Sequence, residues 1–352
     1  MELMFGADQI LTRRRGLTFD DVLLVPCYSE ISSRQLTSLD SLITKNHKLQ
    51  IPMVTANMDT VTESEMAQAM ASLGGLGILH RFMSPERQVE EVGKIRAYQT
   101  ENQLNSPIAA SVGVKTEGMR RADLLAEQGV DILTVDIAHG DSVMMLSTLD
   151  YIKQKYPQID VIAGNVATAD GVLRMLEHGA DAIKVGIGPG SMCTTRIITG
   201  HGVPQLTAVA LAVSKAKEYG IPVIADGGIR NSGDIVKALT VGASTVMLGS
   251  MVAGTTETPG EVKGGRKSYR GMASKEAQVS WRGELPTGMA AEGVATTIPC
   301  KGSVIHLVNE LMGGIRSGMT YLGVDHIEGM AHQGLFMEVS SAGMVESKPH
   351  GL

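Results

Sequence analysis

The chain has 352 residues, 43% of them hydrophobic and 19% charged, with a net charge of −6. That content supports a large core and excludes disordered and collagen-like classes. The acidic balance gives no basic field for nucleic acid, and no apolar run reaches the roughly 18–20 residues of a membrane span.

The N-terminal stretch "MELMFGADQILTRRRG" carries its basic residues after its apolar ones, the wrong order for a signal peptide. Three widely spaced cysteines, Cys27, Cys193 and Cys300, form no CxxC pair. They argue against a disulfide framework or a zinc site and for a cytoplasmic chain. The 21 methionines and few aromatics predict a Met-rich core rather than a Met-lined binding surface.

Eight short apolar runs, each ending in or running into Gly, Asn, Asp, Ser or His, follow one another along the chain. They are "IPMVTAN" (51–57), "GLGILH" (75–80), "PIAASVGV" (107–114), "ILTVDIA" (132–138), "DVIAGNV" (160–166), "AIKVGIG" (182–188), "PVIADGG" (222–228) and "TVMLGSMVAG" (245–254). Their continuous apolarity predicts strands buried on both faces, as in a parallel sheet. Helix-like segments such as "ESEMAQAMASL" and "NSGDIVKALTVG" lie between them. Eight alternations predict an α/β fold, a (β/α)8 TIM barrel, with an open doubly wound sheet as the rival architecture. After the eighth run a long Gly- and Pro-containing connection, about 261–300, precedes the helix-like "SVIHLVNELMGGIRSG". It reads as a mobile flap within one catalytic domain spanning 1–352.

In such a barrel the active site forms where the strands end. The polar residues there include Asn57, Asp59, His80, Arg81, Asp136, Asn165 and Asp226. Gly227, Gly228, Gly249 and Ser250 follow the seventh and eighth strands, the usual phosphate position of this architecture, and offer backbone N–H groups and a hydroxyl. Ser191 adds a donor, and Asp226 suits ribose hydroxyls better than phosphate. The wide polar mouth then favours a nucleotide. Cys193 lies in the turn "GIGPGSMCTTR", rich in backbone dipoles and with Arg196 three residues on, features that favour a thiolate. Thr194 and Thr195 stand beside it. These residues leave two readings open: a nucleophile attacking an electron-poor carbon such as purine C2, or a buried bystander. Cys27 and Cys300 have no comparable setting and read as inert.

The strings "LTFDDVLLVP", "NMDTVTE", "AGNVAT", "GIGPGSMCTTR", "ADGGIRNSGDI", "VMLGS" and "YRGM" occur in order over nearly the whole chain. Together they resemble the family of inosine-monophosphate dehydrogenase and guanosine-monophosphate reductase. The resemblance implies a barrel that assembles as a homotetramer, and a covalent bond between Cys193 and purine C2 while hydride passes between C2 and a nicotinamide. It implies a nucleotide cradle of Met58, Ser191, Asp226, Gly227, Gly228, Gly249, Ser250, Tyr269, Gly271 and Met272. It places the dinucleotide against Arg81, Asp136, Ile137, Ala138, Gly186 and Gly188. Carbonyls of Gly188, Gly190 and Cys193 are implied as a site for a monovalent cation, K+.

Within the family the features divide. A dehydrogenase flap carries an adjacent Arg-Tyr pair that helps activate water. The stretch from Gly271 to Gly293 has none, the nearest candidate being Trp281–Arg282. Regulatory CBS modules, usual in dehydrogenases after the second strand, have no room here. "ANMDTV" and "GGIRSGMTYLG" are reductase-like wording. Met289, where reductases carry Arg, and "IVKALTVGASTVMLGS" are closer to dehydrogenases. The missing Arg-Tyr pair weighs most, because it removes the hydrolytic machinery. The expectation is therefore a GMP reductase: NADPH-dependent conversion of GMP to IMP and ammonia, with Thr195 and Glu292 relaying a proton to the leaving amine. The alternative is an IMP dehydrogenase using NAD. Two further classes, a non-catalytic nucleotide-binding barrel and a flavin-dependent barrel, share the phosphate turns.

Overall fold

In the computed structural model of the chain, which describes residues 3–284 and 287–349, all eight apolar runs become parallel strands. They are β1 (Met53–Thr55), β2 (Leu76–Leu79), β3 (Ala109–Val112), β4 (Ile132–Asp136), β5 (Asp160–Val166), β6 (Ala182–Val185), β7 (Val223–Asp226) and β8 (Thr245–Leu248). Each pairs with the next, and β8 returns to β1 through Val246 opposite Met53 and Leu248 opposite Thr55. Closure excludes the open sheet. The strands are buried almost throughout, which is why their sequences run apolar without alternating.

The barrel helices are α1 (Ser64–Ser72), α2 (Pro85–Glu101), α3 (Lys115–Glu127), α4 (Val143–Lys155), α5 (Ala169–Glu177), α6 (Gln205–Ala216), α7 (Ser232–Thr240) and α8 (Val304–Leu322). Several begin where the sequence supplies a cap. The Ser84 hydroxyl accepts the Arg87 N–H ahead of Pro85, Thr168 accepts from Gly171, and Asn231 accepts from Asp234. Met53, Met66, Met70, Met145, Met175, Met319 and Met330 are wholly buried, so the core is Met-rich as expected.

The two barrel ends are treated differently. At the N-terminal end a hairpin, Ser41–Thr44 with His47–Leu49, lies against the start of β5. The buried Asp160 carboxylate accepts hydrogen bonds from Thr44 Oγ1 at 2.6 Å and Asn46 Nδ2 at 2.8 Å, and pairs with His47 Nδ1 at 3.1 Å. Asp181 is held by Lys45 and Lys153. A three-stranded antiparallel sheet joins the chain's two ends, with Leu335–Glu338 between Met4–Gly6 and Val22–Val25.

The opposite end carries the insertion between β8 and α8. It is more ordered than a loop. Arg266–Arg270 pairs antiparallel with Ala295–Pro299, and a helix, Lys275–Arg282, stands between them. Residues 285 and 286 of the expected flap lie outside the described residues, as do the chain ends at 1–2 and 350–352.

Candidate active site

A cavity of about 330 Å³ opens where the strands end, within the size range of small-molecule sites. Every residue assigned to the nucleotide, the dinucleotide, the cation and the Cys193–Thr195–Glu292 relay lines it, together with Asn57 and Asn165, whereas Thr194 and Arg196 do not. His80, Asp59 and Arg282 do not line it. His80 is buried against Glu63, Asp59 pairs with Arg270, and Arg282 is exposed on the flap helix.

Cys193 heads a chain of hydrogen bonds. Its thiol donates to Thr195 Oγ1 at 3.2 Å, and the Thr195 hydroxyl donates to Glu292 Oε2 at 2.8 Å. Backbone pairing sets this geometry. Thr194 N–H donates to the Glu292 carbonyl, Val294 N–H to the Met192 carbonyl, and Gly271 N–H to the Val294 carbonyl. The returning flap segment is thereby laced to the cysteine loop. The approach is tight: a Cβ on Gly293 would sit 3.1 Å from the Met192 carbonyl oxygen and 3.1 Å from Ser274 N, so any side chain there obliges the two backbone segments to part slightly.

Arg196 corrects one expectation. Its guanidinium donates to the carbonyls of Val203 at 2.7 Å and Ile187 at 3.4 Å, and Arg196 is not among the cavity-lining residues, so it braces the loop rather than facing the ligand space.

At one side of the cavity, Gly227 and Gly228 adopt positive φ after β7. A Cβ on Gly227 would lie 2.9 Å from Pro189 Cγ, so only glycine lets the β7 turn approach the cysteine loop. Tyr269 comes from the flap hairpin and meets Ser191 Oγ at 3.1 Å. Burial pushes its phenol above the ordinary value, which keeps it a neutral donor at neutral pH. Lys301 stands behind this side, donating to the backbone carbonyls of Ser250 at 2.9 Å and Met251 at 3.1 Å.

The opposite side is built from Asp136, Ile137 and Ala138 after β4, with Arg81 and Phe82 after β2. Asn57 Nδ2 donates to Asp136 Oδ2 at 2.7 Å. The flap helix leans on this side through Trp281, whose ring centroid is 6.0 Å from that of Phe82 and 5.6 Å from the Arg121 guanidinium carbon.

The sequence reading missed Lys184, Gln278, Phe82 and Ile229, all of which line the cavity. Lys184 alone had a usable signal. It interrupts the apolar β6 run "AIKV", and lysine is almost never fully buried unless paired.

A closed parallel barrel with a cysteine–threonine–glutamate chain and glycine turns around one cavity at its strand ends has the layout of a (β/α)8 barrel enzyme. The comparisons narrow the class. The IMP dehydrogenase / GMP reductase domain matches residues 16–350, and the chain belongs to that family of oxidoreductases, whose members act on purine nucleotides with a nicotinamide cofactor. It is 44% identical to an inosine-5′-monophosphate dehydrogenase from Cryptosporidium parvum, covering 96% of this chain and 95% of the relative. A dehydrogenase of the same name from Nitrosopumilus maritimus is 37% identical, with 96% and 98% covered. Among solved structures, a cysteine-to-alanine variant of GMP reductase from Trypanosoma brucei, in complex with guanosine 5′-monophosphate, superposes with a TM-score of 0.88. It is 33% identical, covering 97% of this chain and 99% of that one.

Proposed function

We propose that the chain is a GMP reductase: GMP + NADPH + 2 H+ → IMP + NH4+ + NADP+. The observation that carries this reading is the Cys193–Thr195–Glu292 chain under a flap without an Arg-Tyr pair. Conversion of GMP needs a proton at the departing amine and no attacking water, and the relay supplies that proton.

In this reading the phosphate rests on N–H groups of Gly227, Gly228, Gly249 and Ser250, with Ser191 and Tyr269 as hydroxyl donors and the Lys301 ammonium against the Ser250 and Met251 carbonyls. Asp226 accepts from the ribose, while Met58, Gly271 and Met272 hold the base. The Cys193 thiolate attacks purine C2. Glu292, acting through Thr195, delivers a proton to the 2-amino group, and the C–N bond breaks to release ammonia. On the other side Asp136 would accept from the dinucleotide ribose, Ile137 and Ala138 would offer apolar contact, Arg81 positive charge, and Gly186 and Gly188 room for close approach. A nicotinamide bound there would supply the hydride that C2 needs, after which the C2–S bond breaks and Cys193 departs as thiolate, freeing IMP. The carbonyls of Gly188, Gly190 and Cys193 are the groups that would hold K+, whose charge would fix the cysteine loop, and the chain would assemble as a homotetramer. The domain assignment, one catalytic unit spanning 1–352, and a cytoplasmic location belong to the same reading. Among the described residues no helix is long and apolar enough to cross a membrane.

A second reading, NAD-dependent oxidation of IMP to XMP, is favoured by the names of the Cryptosporidium and Nitrosopumilus relatives. Against it, no flap arginine lines the cavity among the described residues, and Arg282 is exposed. Chromatography of products from GMP and NADPH tests the proposal. IMP and ammonia in equal amounts are expected, and absence of IMP contradicts it.

A further inference from the structure

At the cavity floor, Lys184 brings a full positive charge into the barrel interior, with 2% of its side chain exposed. Its Nζ lies 2.5 Å from Asp226 Oδ2 and 3.2 Å from Asp136 Oδ1, and it also donates to Asn165 Oδ1. The carboxylates have further partners of their own: Asn165 Nδ2 donates to Asp226 Oδ2 at 3.0 Å, and Asn57 Nδ2 donates to Asp136 Oδ2 at 2.7 Å. Arg81, from the segment after β2, adds a second positive charge acting on Asp136. One ammonium on β6 thus bridges a carboxylate from β7 and a carboxylate from β4, the two that face opposite halves of the cavity.

From this geometry we propose that Lys184 is the positioning residue shared by the two ligand sites, orienting Asp226 toward the nucleotide ribose and Asp136 toward the dinucleotide ribose at once. The proposal rests on the assignment of these two aspartates as ribose acceptors. The physical reason is the cost of two partly buried carboxylates facing one mouth. Without a counter-ion they repel, and each is stabilised by turning away or taking a proton, and in either state it accepts hydroxyl hydrogen bonds poorly. With Lys184 between them both stay ionised and aimed. Burial alone would raise Asp136, yet the Lys184 charge and the Asn57 hydrogen bond hold it below the usual carboxylate range. Burial alone would lower Lys184, yet the Asp136 and Asp226 charges hold it above the usual lysine value. Stability of the barrel does not by itself explain the triad, because replacing Lys184, Asp136 and Asp226 together by apolar side chains of similar volume would be neutral or stabilising.

The test is ribose discrimination, measured by calorimetry with GMP and 2′-deoxy-GMP on the intact enzyme without dinucleotide. In the wild type the ribonucleotide is expected to bind at least about tenfold tighter, the worth of a hydrogen bond to a charged acceptor. Lys184→Met should reduce that preference to about twofold while leaving 2′-deoxy-GMP affinity nearly unchanged, and should also raise the KM for NADPH. A structural role alone would weaken both nucleotides equally. Lys184→Gln, whose amide still donates to one carboxylate, is the milder neutral change with the same expected loss. Lys184→Arg, which keeps the charge, should restore the preference. A wild-type preference retained in either neutral variant overturns the proposal while leaving the ribose assignment intact. No preference in the wild type overturns the assignment and the proposal together. If both neutral variants fail to fold while Lys184→Arg folds, Lys184 belongs to stability and the positioning role is overturned.

Discussion

Cys193, Thr195 and Glu292 sit in one hydrogen-bonded line although Thr195 and Glu292 are 97 residues apart. If Cys193 carries the covalent step, Cys193→Ser should lower turnover by at least about 1,000-fold, while GMP affinity stays within a few-fold because phosphate and ribose contacts lie elsewhere. Steady-state kinetics beside calorimetry checks both halves. Glu292→Gln keeps the size but not the proton, so release of ammonia from GMP should slow by about 100-fold or more. Stopped-flow separation of ammonia loss from hydride transfer should find the second step much less affected. The cysteine turn and the glycine pairs were legible because few residue types tolerate those backbone positions. Lys184 was not, since a single charged letter inside a strand shows its role only when the carboxylates of β4 and β7 are brought beside it. Arg196 was misread for a related reason: three residues of separation say nothing about which way a guanidinium turns.

At the level of elements, the flap is a hairpin and helix laced onto the cysteine loop, and its register decides where Glu292 points. Gly293→Val adds a branched side chain 3.1 Å from two backbone atoms. The expected result is displacement of the return segment and a drop in kcat of about 100-fold, of the order seen when a catalytic group is misplaced by an ångström, with thermal stability lowered by only a few degrees. Melting and kinetics on the same preparation distinguish this from general unfolding. The barrel strands could be read from sequence because both of their faces are buried. The ordered flap interior and the three-stranded terminal sheet could not, because their short strands are half exposed and pair across long separations, Met4 with Met337 and Tyr269 with Thr296.

Across the whole molecule, chemistry and stability occupy opposite ends of the barrel. The His47–Asp160 contact closes the N-terminal end far from the cavity. Burial alone would raise Asp160, but His47, Thr44 and Asn46 hold it far below the usual carboxylate range. Asp160 raises His47 above its ordinary value despite partial burial. The Asp160 contribution is present above the unfolded value of about 3.9 and is lost only as pH falls through the depressed folded value. The His47 contribution is full below about pH 6.5 and is lost as pH rises through the raised folded value. His47→Gln should therefore lower the melting temperature at pH 5.5 and have a diminishing effect by pH 9, with GMP affinity unchanged throughout. A pH-independent difference would show that His47 acts through packing alone.

The most direct test of the catalytic account follows absorbance at 340 nm in both directions with one enzyme preparation. GMP with NADPH should give sustained loss of absorbance over many turnovers, while IMP with NAD should give at most a single-turnover rise that does not continue to XMP. Sustained NADH formation with stoichiometric XMP, and no oxidation of NADPH by GMP, would contradict the account and assign the chain to the dehydrogenases.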